Sequence, residues 1–187
     1  MYFKEREEEI KGRKITFRNA KDSDAEQLIT FLKIISEETP FLIREPKEIT
    51  VSLEQERAFI QKNLDSERNL LILAFDGDRH VGNCAVNSIG TYTRYAHRCE
   101  IAIALYQKYC GRGIGKKMME LALEKAAEMG YEQAELEVAA SNENAVHLYE
   151  SLGFRKYGTF PDNMKYQDGS YEDSFWMMRK LAYCHLK

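Results

Sequence analysis

The chain has 187 residues, enough for one well-packed domain and short for two; 44% are hydrophobic and 30% charged, and no apolar run is long enough to span a bilayer. Lys and Arg total 27 against 30 Asp and Glu, a net charge of −3, which excludes a general electrostatic pull toward nucleic acid or anionic lipid. The four cysteines (Cys84, Cys99, Cys110, Cys184) and four histidines (His80, His97, His147, His185) show neither metal-ligand spacing nor disulfide density, so no metal site is expected and a reducing, cytoplasmic compartment fits.

Residues 1–12 are dominated by charge, carry no apolar core of the kind a leader peptide requires, and end in Gly12. They read as a loose arm or a first helical turn ahead of a single domain over 13–187. Lys14-Ile15-Thr16-Phe17-Arg18 alternates polar and apolar, as an exposed strand does. Asp22 or Ser23 can cap a helix in which Ala25, Leu28, Leu32 and Ile35 recur at helical spacing. The stretch from Thr39 to Pro46 interrupts it, because each proline disfavours helical geometry in the residue before it. A second helix is expected from Ser52 or Leu53 to about Leu64, with Ala58, Phe59 and Ile60 turned inward. Asn69 to Phe75 is a continuous apolar run, consistent with a strand covered on both faces. Asp76-Gly77-Asp78 signals a hairpin, and the returning strand starts near His80 and Val81, where Gly82 marks a bulge or a tight approach. A third strand follows at Thr91-Tyr92-Thr93-Arg94, giving an antiparallel meander into Glu100–Leu105.

Along that strand Glu100, Ala102 and Ala104 share one face and Ile101, Ile103 and Leu105 the other. The large residues belong to the core; the alanines leave space for a thin ligand arm or for a closely packed helix. Next come Cys110-Gly111-Arg112-Gly113-Ile114-Gly115 and a helix with Ile114, Met118, Leu121, Ala122, Ala126 and Met129 on one face, stopped by Gly130. Lys117, Glu120, Glu124 and Glu128 occupy its other face. Glycines let consecutive backbone N–H groups converge, and a helix start adds unpaired donors and a positive dipole end, so the turn suits an anion, most often a phosphate. Lys108, Arg112, Lys116 and Lys117 cluster around it, as a phosphate field or as a solvated helix face. A Walker P-loop needs glycine at position 110 and serine or threonine at 117, where the chain has Cys110 and Lys117. The dinucleotide fingerprint needs a third glycine at 116 or 118, where it has Lys116 and Met118. Neither template fits.

What remains resembles the acetyl-CoA pyrophosphate loop of the GNAT superfamily of N-acetyltransferases, Gln/Arg-x-x-Gly-x-Gly/Ala at the start of the main helix. Gly113 and Gly115 fill the glycine positions, and Cys110 stands where the family usually has Gln or Arg. Because backbone donors hold most of the pyrophosphate, that departure weakens the cofactor site without abolishing it. The resemblance runs downstream through Val138, Asn142, Ala145, Leu148-Tyr149 and Gly153-Phe154 to a C-terminal hairpin. Gln133 to Val138 is a strand reached through the long helix and therefore parallel to Glu100–Leu105. Asn142 or Ser141 caps a helix with Ala145, Leu148, Tyr149 and Leu152 on one face and Gly153 at its end. Phe154 to about Phe160 and Tyr171 to Leu181 are the last strands. The expected fold class is α/β: a single GNAT domain whose mixed, mostly antiparallel central sheet contains a parallel, splayed strand pair, with helices on both faces. In such a domain the pantetheine arm of the cofactor enters the splay as an extra strand.

Acetyl transfer to an amine needs a thioester held close to it, an ammonium that loses a proton, donors for an oxyanion and a proton for the leaving thiolate. The resemblance implies acetyl-CoA as donor co-substrate, with Cys110, Gly111, Arg112, Gly113, Ile114, Gly115 and Lys116 around its pyrophosphate. It likewise implies Ala102, Ile103 and Ala104 backbone along the pantetheine, the Ile103 N–H toward the oxyanion, and Asn142 with Ala145 beside the arm; Asn142 is equally a plain helix cap. Tyr149 matches the family tyrosine beside the cofactor sulfur, where its hydroxyl protonates the thiolate, against a half-buried aromatic with a hydrated hydroxyl. Glu100 is the candidate general base, with Glu137 and His97 as rivals and an ordinary salt bridge as the plain account. Cys110 and Cys99 invite a nucleophile reading but lack the sequence context of a cysteine enzyme. The segment between the first two helices lines the acceptor pocket in the family, so Glu37, Glu38, Glu45 and Glu48 either attract a cationic amine or are simply solvated.

The resulting expectation is direct transfer, in a ternary complex, to a primary amine on a small molecule or at a protein N-terminus. The tail Gly169–Asp173 with Phe175–Met178 loosely resembles the branch that includes ribosomal-protein alanine and polyamine acetyltransferases. The alternatives are a non-catalytic acyl-CoA sensor and a nucleotide-binding module. Neither a nucleic-acid nor a membrane partner is expected, and the apolar last strand either supports a homodimer or is core.

Overall fold

A computed structural model describes residues 1–181; Cys184 and His185 lie outside the described residues. The strands are β1 (Arg6–Ile10), β2 (Arg13–Asn19), β3 (Leu70–Asp76), β4 (Arg79–Ser88), β5 (Arg98–Leu105), β6 (Gln133–Ala139), β7 (Arg155–Lys165) and β8 (Tyr171–Lys180). The helices are α1 (Ala25–Glu38), α2 (Leu53–Asp65), α3 (Ile114–Glu128) and α4 (Glu143–Ser151). Two compact units divide the chain, residues 1–87 with 102–122, and residues 88–101 with 123 onward, so β5 and α3 contribute to both.

In the first unit the strand order is β1-β2-β3-β4-β5. The N-terminal segment is neither a loose arm nor a helical turn: β1 pairs antiparallel with β2 from Arg6↔Phe17 to Ile10↔Arg13. Its charges are compatible with pairing because an exposed edge strand tolerates them and Glu7 pairs with Lys14 across the hairpin at 2.7 Å. Lys11 (φ 48°) and Gly12 (φ 76°) form the two-residue turn, both in the left-handed conformation that matches the twist of a hairpin. β3 is buried on both faces, as its unbroken apolar run predicts. Leu71, Leu73 and Phe75 pack with Ala25 and Leu28 of α1 and Ile60 of α2. Phe31 replaces Leu32 as the inward residue of α1. In α2 the buried residues are Glu56, Ile60 and Asn63, while Ala58 and Phe59 face out.

Ser52 starts α2 with a reciprocal cap, its hydroxyl accepting the Gln55 N–H at 3.2 Å and its own N–H donating to Gln55 Oε1 at 2.9 Å. Gly82 satisfies both of its readings. The register slips by one residue between Ala74↔Gly82 and Phe75↔His80, and a Cβ at Gly82 would stand 2.7 Å from the Ala104 carbonyl oxygen.

In the second unit the order is β5-β6-β8-β7, with β5 and β6 parallel and the other pairs antiparallel. No strand forms over Thr91–Arg94; Thr93–Tyr95 is a short helical turn, and β5 is the next strand after β4. Tyr92 and Tyr95 are both exposed, so this stretch has no face to bury against a sheet. The parallel register runs Arg98↔Gln133, Cys99↔Ala134, Glu100↔Glu135 and ends there.

Candidate active site

The glycine turn and the strand before it belong to the first unit. Tyr106 N–H donates to Val81 O at 3.1 Å at the end of β5, and a short helical turn, Gln107–Tyr109, follows. The Glu38 carboxylate accepts the Gln107 N–H at 2.7 Å, so this acid has a local structural partner. Cys110 N–H donates to Gln107 O at 3.0 Å and is spent; the available donors begin at Gly111. Gly111 (φ 70°) and Gly113 (φ 91°) take the left-handed conformation that side chains resist. The first N–H of α3 to find a carbonyl is that of Lys117, bonded to Gly113 O at 3.1 Å. Among the described residues the N–H groups from Gly111 to Lys116 therefore remain without backbone partners, at the positive end of a long helix. Ile114 is buried and anchors the turn, while Gly111, Arg112, Gly113 and Lys116 are exposed. This donor set, with Lys108, Arg112 and Lys116 around it, fits the diphosphate of coenzyme A.

Sequence reasoning missed what supports the turn. The tip of the β1–β2 hairpin rests on it: Lys11 Nζ donates to Gly111 O at 3.1 Å, and Ile10 Cγ2 lies 3.4 Å from where a Gly113 Cβ would be. The available signal was the Lys11-Gly12 pair between two polar-apolar alternations. Lys117 is tied to Glu8 at 2.8 Å, which gives it a structural role. The Cys110 thiol is pushed up by burial and by Glu38, the opposite of what a reactive thiolate needs.

Glu100, Asn142, Ala145 and Tyr149 belong to the second unit. Exposure alternates along β5, with Cys99 and Ile101 buried and Glu100 and Ala102 open. Glu135, facing Glu100 in the register, is engaged by Arg98 (Nε–Oε1 2.5 Å, Nη2–Oε2 2.7 Å) and by Gln133. Burial works to raise the pKa of Glu135, but these hydrogen bonds outweigh it and leave it lowered. Glu137 is occupied as well: Oε1 accepts from Asn163 Nδ2 at 2.5 Å and Oε2 from Trp176 Nε1 at 2.9 Å. Desolvation first, then the charges of Glu137 and Glu135, hold the pKa of Glu100 above the ordinary carboxylate range. The environment of Glu100 thus favours taking up a proton, whereas that of Glu135 opposes it. The carbonyl of His97 accepts the Glu132 and Gln133 N–H groups, so its backbone ties β5 to the start of β6.

Asn142 caps α4, its Oδ1 accepting the Ala145 N–H at 3.3 Å. Tyr149 is 8% exposed, more enclosed than the half-buried aromatic of the plain reading, with its ring 6.0 Å from that of Phe154. Gly153 (φ 83°) ends the helix, and the Phe154 N–H returns to Tyr149 O at 3.0 Å. Among the described residues no group of three or more His, Cys, Asp or Glu is gathered as a metal site.

The Acetyltransferase (GNAT) family model matches residues 31–154. The chain belongs to the GNAT family. A crystal structure of a GNAT acetyltransferase from Streptococcus pneumoniae superposes with a TM-score of 0.85 at 27% identity, over 89% of this chain and 99% of that one. A Salmonella typhimurium acetyltransferase, solved with its cofactor acetyl-CoA, shares the fold with a TM-score of 0.80 at 16% identity, over 90% of this chain and 94% of that one. An N-alpha-acetyltransferase from Sulfurisphaera tokodaii is 28% identical over 176 residues, 91% of this chain and 96% of its own. A Mycobacterium leprae protein is 29% identical over 123 residues, 66% of this chain, which there spans about a third (32%) of the relative's length. The α/β architecture with one parallel pair in a mostly antiparallel eight-stranded sheet is thus a GNAT fold, and acetyl-CoA is the co-substrate of that family. Among the described residues no helix is long and apolar enough to cross a membrane.

Proposed function

We propose that this chain transfers the acetyl group of acetyl-CoA to the α-amino group of a polypeptide, with Glu100 as base and Tyr149 as acid. The observation that carries the donor half is the run of unengaged N–H groups from Gly111 to Lys116 between glycines at φ 70° and 91°, a cradle for a diphosphate. The polypeptide acceptor is supported by the near full-length similarity to an N-alpha-acetyltransferase. The end of the parallel register at Glu100 supports the pantetheine pairing along Ala102–Ala104 that the family implies.

In this reading Glu100 takes a proton from the incoming ammonium, directly or through water, and the freed amine attacks the thioester carbon. The resemblance to the family assigns the Ile103 N–H to the developing oxyanion. As the C–S bond breaks, the Tyr149 hydroxyl gives its proton to sulfur and takes one back from the acylated nitrogen, while Glu100 releases its proton to water, so the products are an acetamide and a free thiol. The reaction is assigned to the cytoplasm, where the free thiols of Cys84 and Cys110 persist.

Thiol release from acetyl-CoA, followed with a panel of free N-terminal peptides and with polyamines, tests the proposal. Saturable release with peptides is expected. Release with polyamines alone would overturn the acceptor, and no release with any amine would overturn the activity.

A further inference from the structure

The exposed face of the second unit carries a built aromatic platform beside its carboxylates. Trp176 on β8 registers with Glu137 on β6 and with Gly158 on β7. Gly158 lets the indole lie flat, since a Cβ there would sit 3.2 Å from Trp176 Cε3. The hydrogen bond from Trp176 Nε1 to Glu137 fixes the direction of the ring. Tyr157 occupies the bulge between Lys156 and Gly158 and stacks on the indole, with centroids 6.2 Å apart and planes at 26°; Phe160 leans on it at 5.5 Å. These rings are 56%, 45% and 37% exposed for Tyr157, Phe160 and Trp176, an unusual amount of open aromatic surface to hold in one orientation.

The charge beside the platform is negative. Arg98, the cation on the same face of β5, is committed to Glu135 by two hydrogen bonds, and among the described residues neither Glu100 nor Glu137 is in an ion pair. Oriented rings next to such an acid attract a cation that carries an apolar body. The three rings are solvent-exposed along neighbouring strands, so they suit an extended chain laid over them.

We propose that this face receives the first residues of the acceptor polypeptide, its ammonium toward Glu100 and an apolar first or second side chain on Trp176 between Tyr157 and Phe160. The inference rests on the N-acetyltransferase reading and narrows it to N-termini with apolar leading residues. Acidic leading residues are rejected by Glu100 and Glu137.

Trp176 is the single tryptophan of the chain, so it reports its own occupancy. Its fluorescence is followed during titration with three peptides that differ in their first two residues: apolar with a free amine, acidic with a free amine, and apolar but N-acetylated. The apolar free-amine peptide is expected to saturate the signal with at least about tenfold higher affinity than the other two. Tyr157→Ala, at an exposed position, is expected to weaken that peptide roughly fivefold while leaving calorimetric coenzyme A affinity unchanged. Equal affinities for the three peptides, an unresponsive tryptophan, or saturation by spermine in preference to any peptide would each overturn the proposal. Coenzyme A calorimetry on the unaltered protein separates the two readings. Absent cofactor binding sinks the acetyltransferase, whereas intact cofactor binding with a silent tryptophan sinks the platform alone.

Discussion

At the scale of single residues, Glu100 and Tyr149 carry separable predictions. Tyr149→Phe removes only an O–H, and kcat is expected to fall about 100-fold with little change in coenzyme A affinity, read by thiol release and calorimetry. Because the pKa of Glu100 is raised, kcat/KM should climb with pH along a limb whose midpoint lies above the usual 4.5. Glu100→Gln should abolish that limb, and Glu137→Gln, which removes one of its causes, should move it down. A limb that survives Glu100→Gln assigns the base elsewhere.

His80 makes a prediction about stability. Among the rings of Phe31, Phe75 and Tyr106, burial lowers its pKa to about 4 from 6.5. The unfolded chain then takes up a proton at a pH where the folded one does not, so stability is complete above about 6.5 and is lost as pH falls toward about 4. The loss is on the order of 3 kcal/mol. Urea unfolding at pH 7 and at pH 4.5 measures it, and His80→Phe should flatten the difference. Residues whose role is dictated by backbone conformation, such as Gly113 and Gly153, were legible from sequence. Lys11 and Trp176 were not, because what each one touches is set by partners far away along the chain.

At the scale of elements, legibility followed how locally each was determined. β3, the main run of α3 and the cap of α4 declare themselves through unbroken apolarity, helical spacing and Asn142. β1 and the Thr91–Arg94 stretch were misread in opposite directions, since β1 is charged yet paired, whereas the other is strand-like in composition yet lacks a face to bury. The face of α2 was misplaced because Glu56 and Asn63 are buried, which no hydrophobic pattern announces. The turn and its neighbours can be tested as elements. Gly113→Ala forces a side chain into φ 91° and should weaken coenzyme A roughly tenfold, by about 1–2 kcal/mol, without unfolding the protein. Gly82→Ala drives a methyl into the Ala104 carbonyl and should cost about 1–3 kcal/mol in urea unfolding, with an unchanged slope.

At the scale of the whole molecule, the fold class was legible because several weak signals agreed in order and spacing. The division into two compact units had no such signal, since β5 and α3 pass through both without a break in composition. The acceptor is the least legible part, because a shared fold supports many chemistries and only site geometry distinguishes them.

The central claim is that the amides from Gly111 to Lys116 hold a diphosphate. Titrating the isotope-labelled protein with coenzyme A and following backbone amide resonances addresses it most directly. The account predicts saturable shifts at Gly111 through Lys116, reversed by competing pyrophosphate. Bound coenzyme A that leaves those resonances where they were would contradict it.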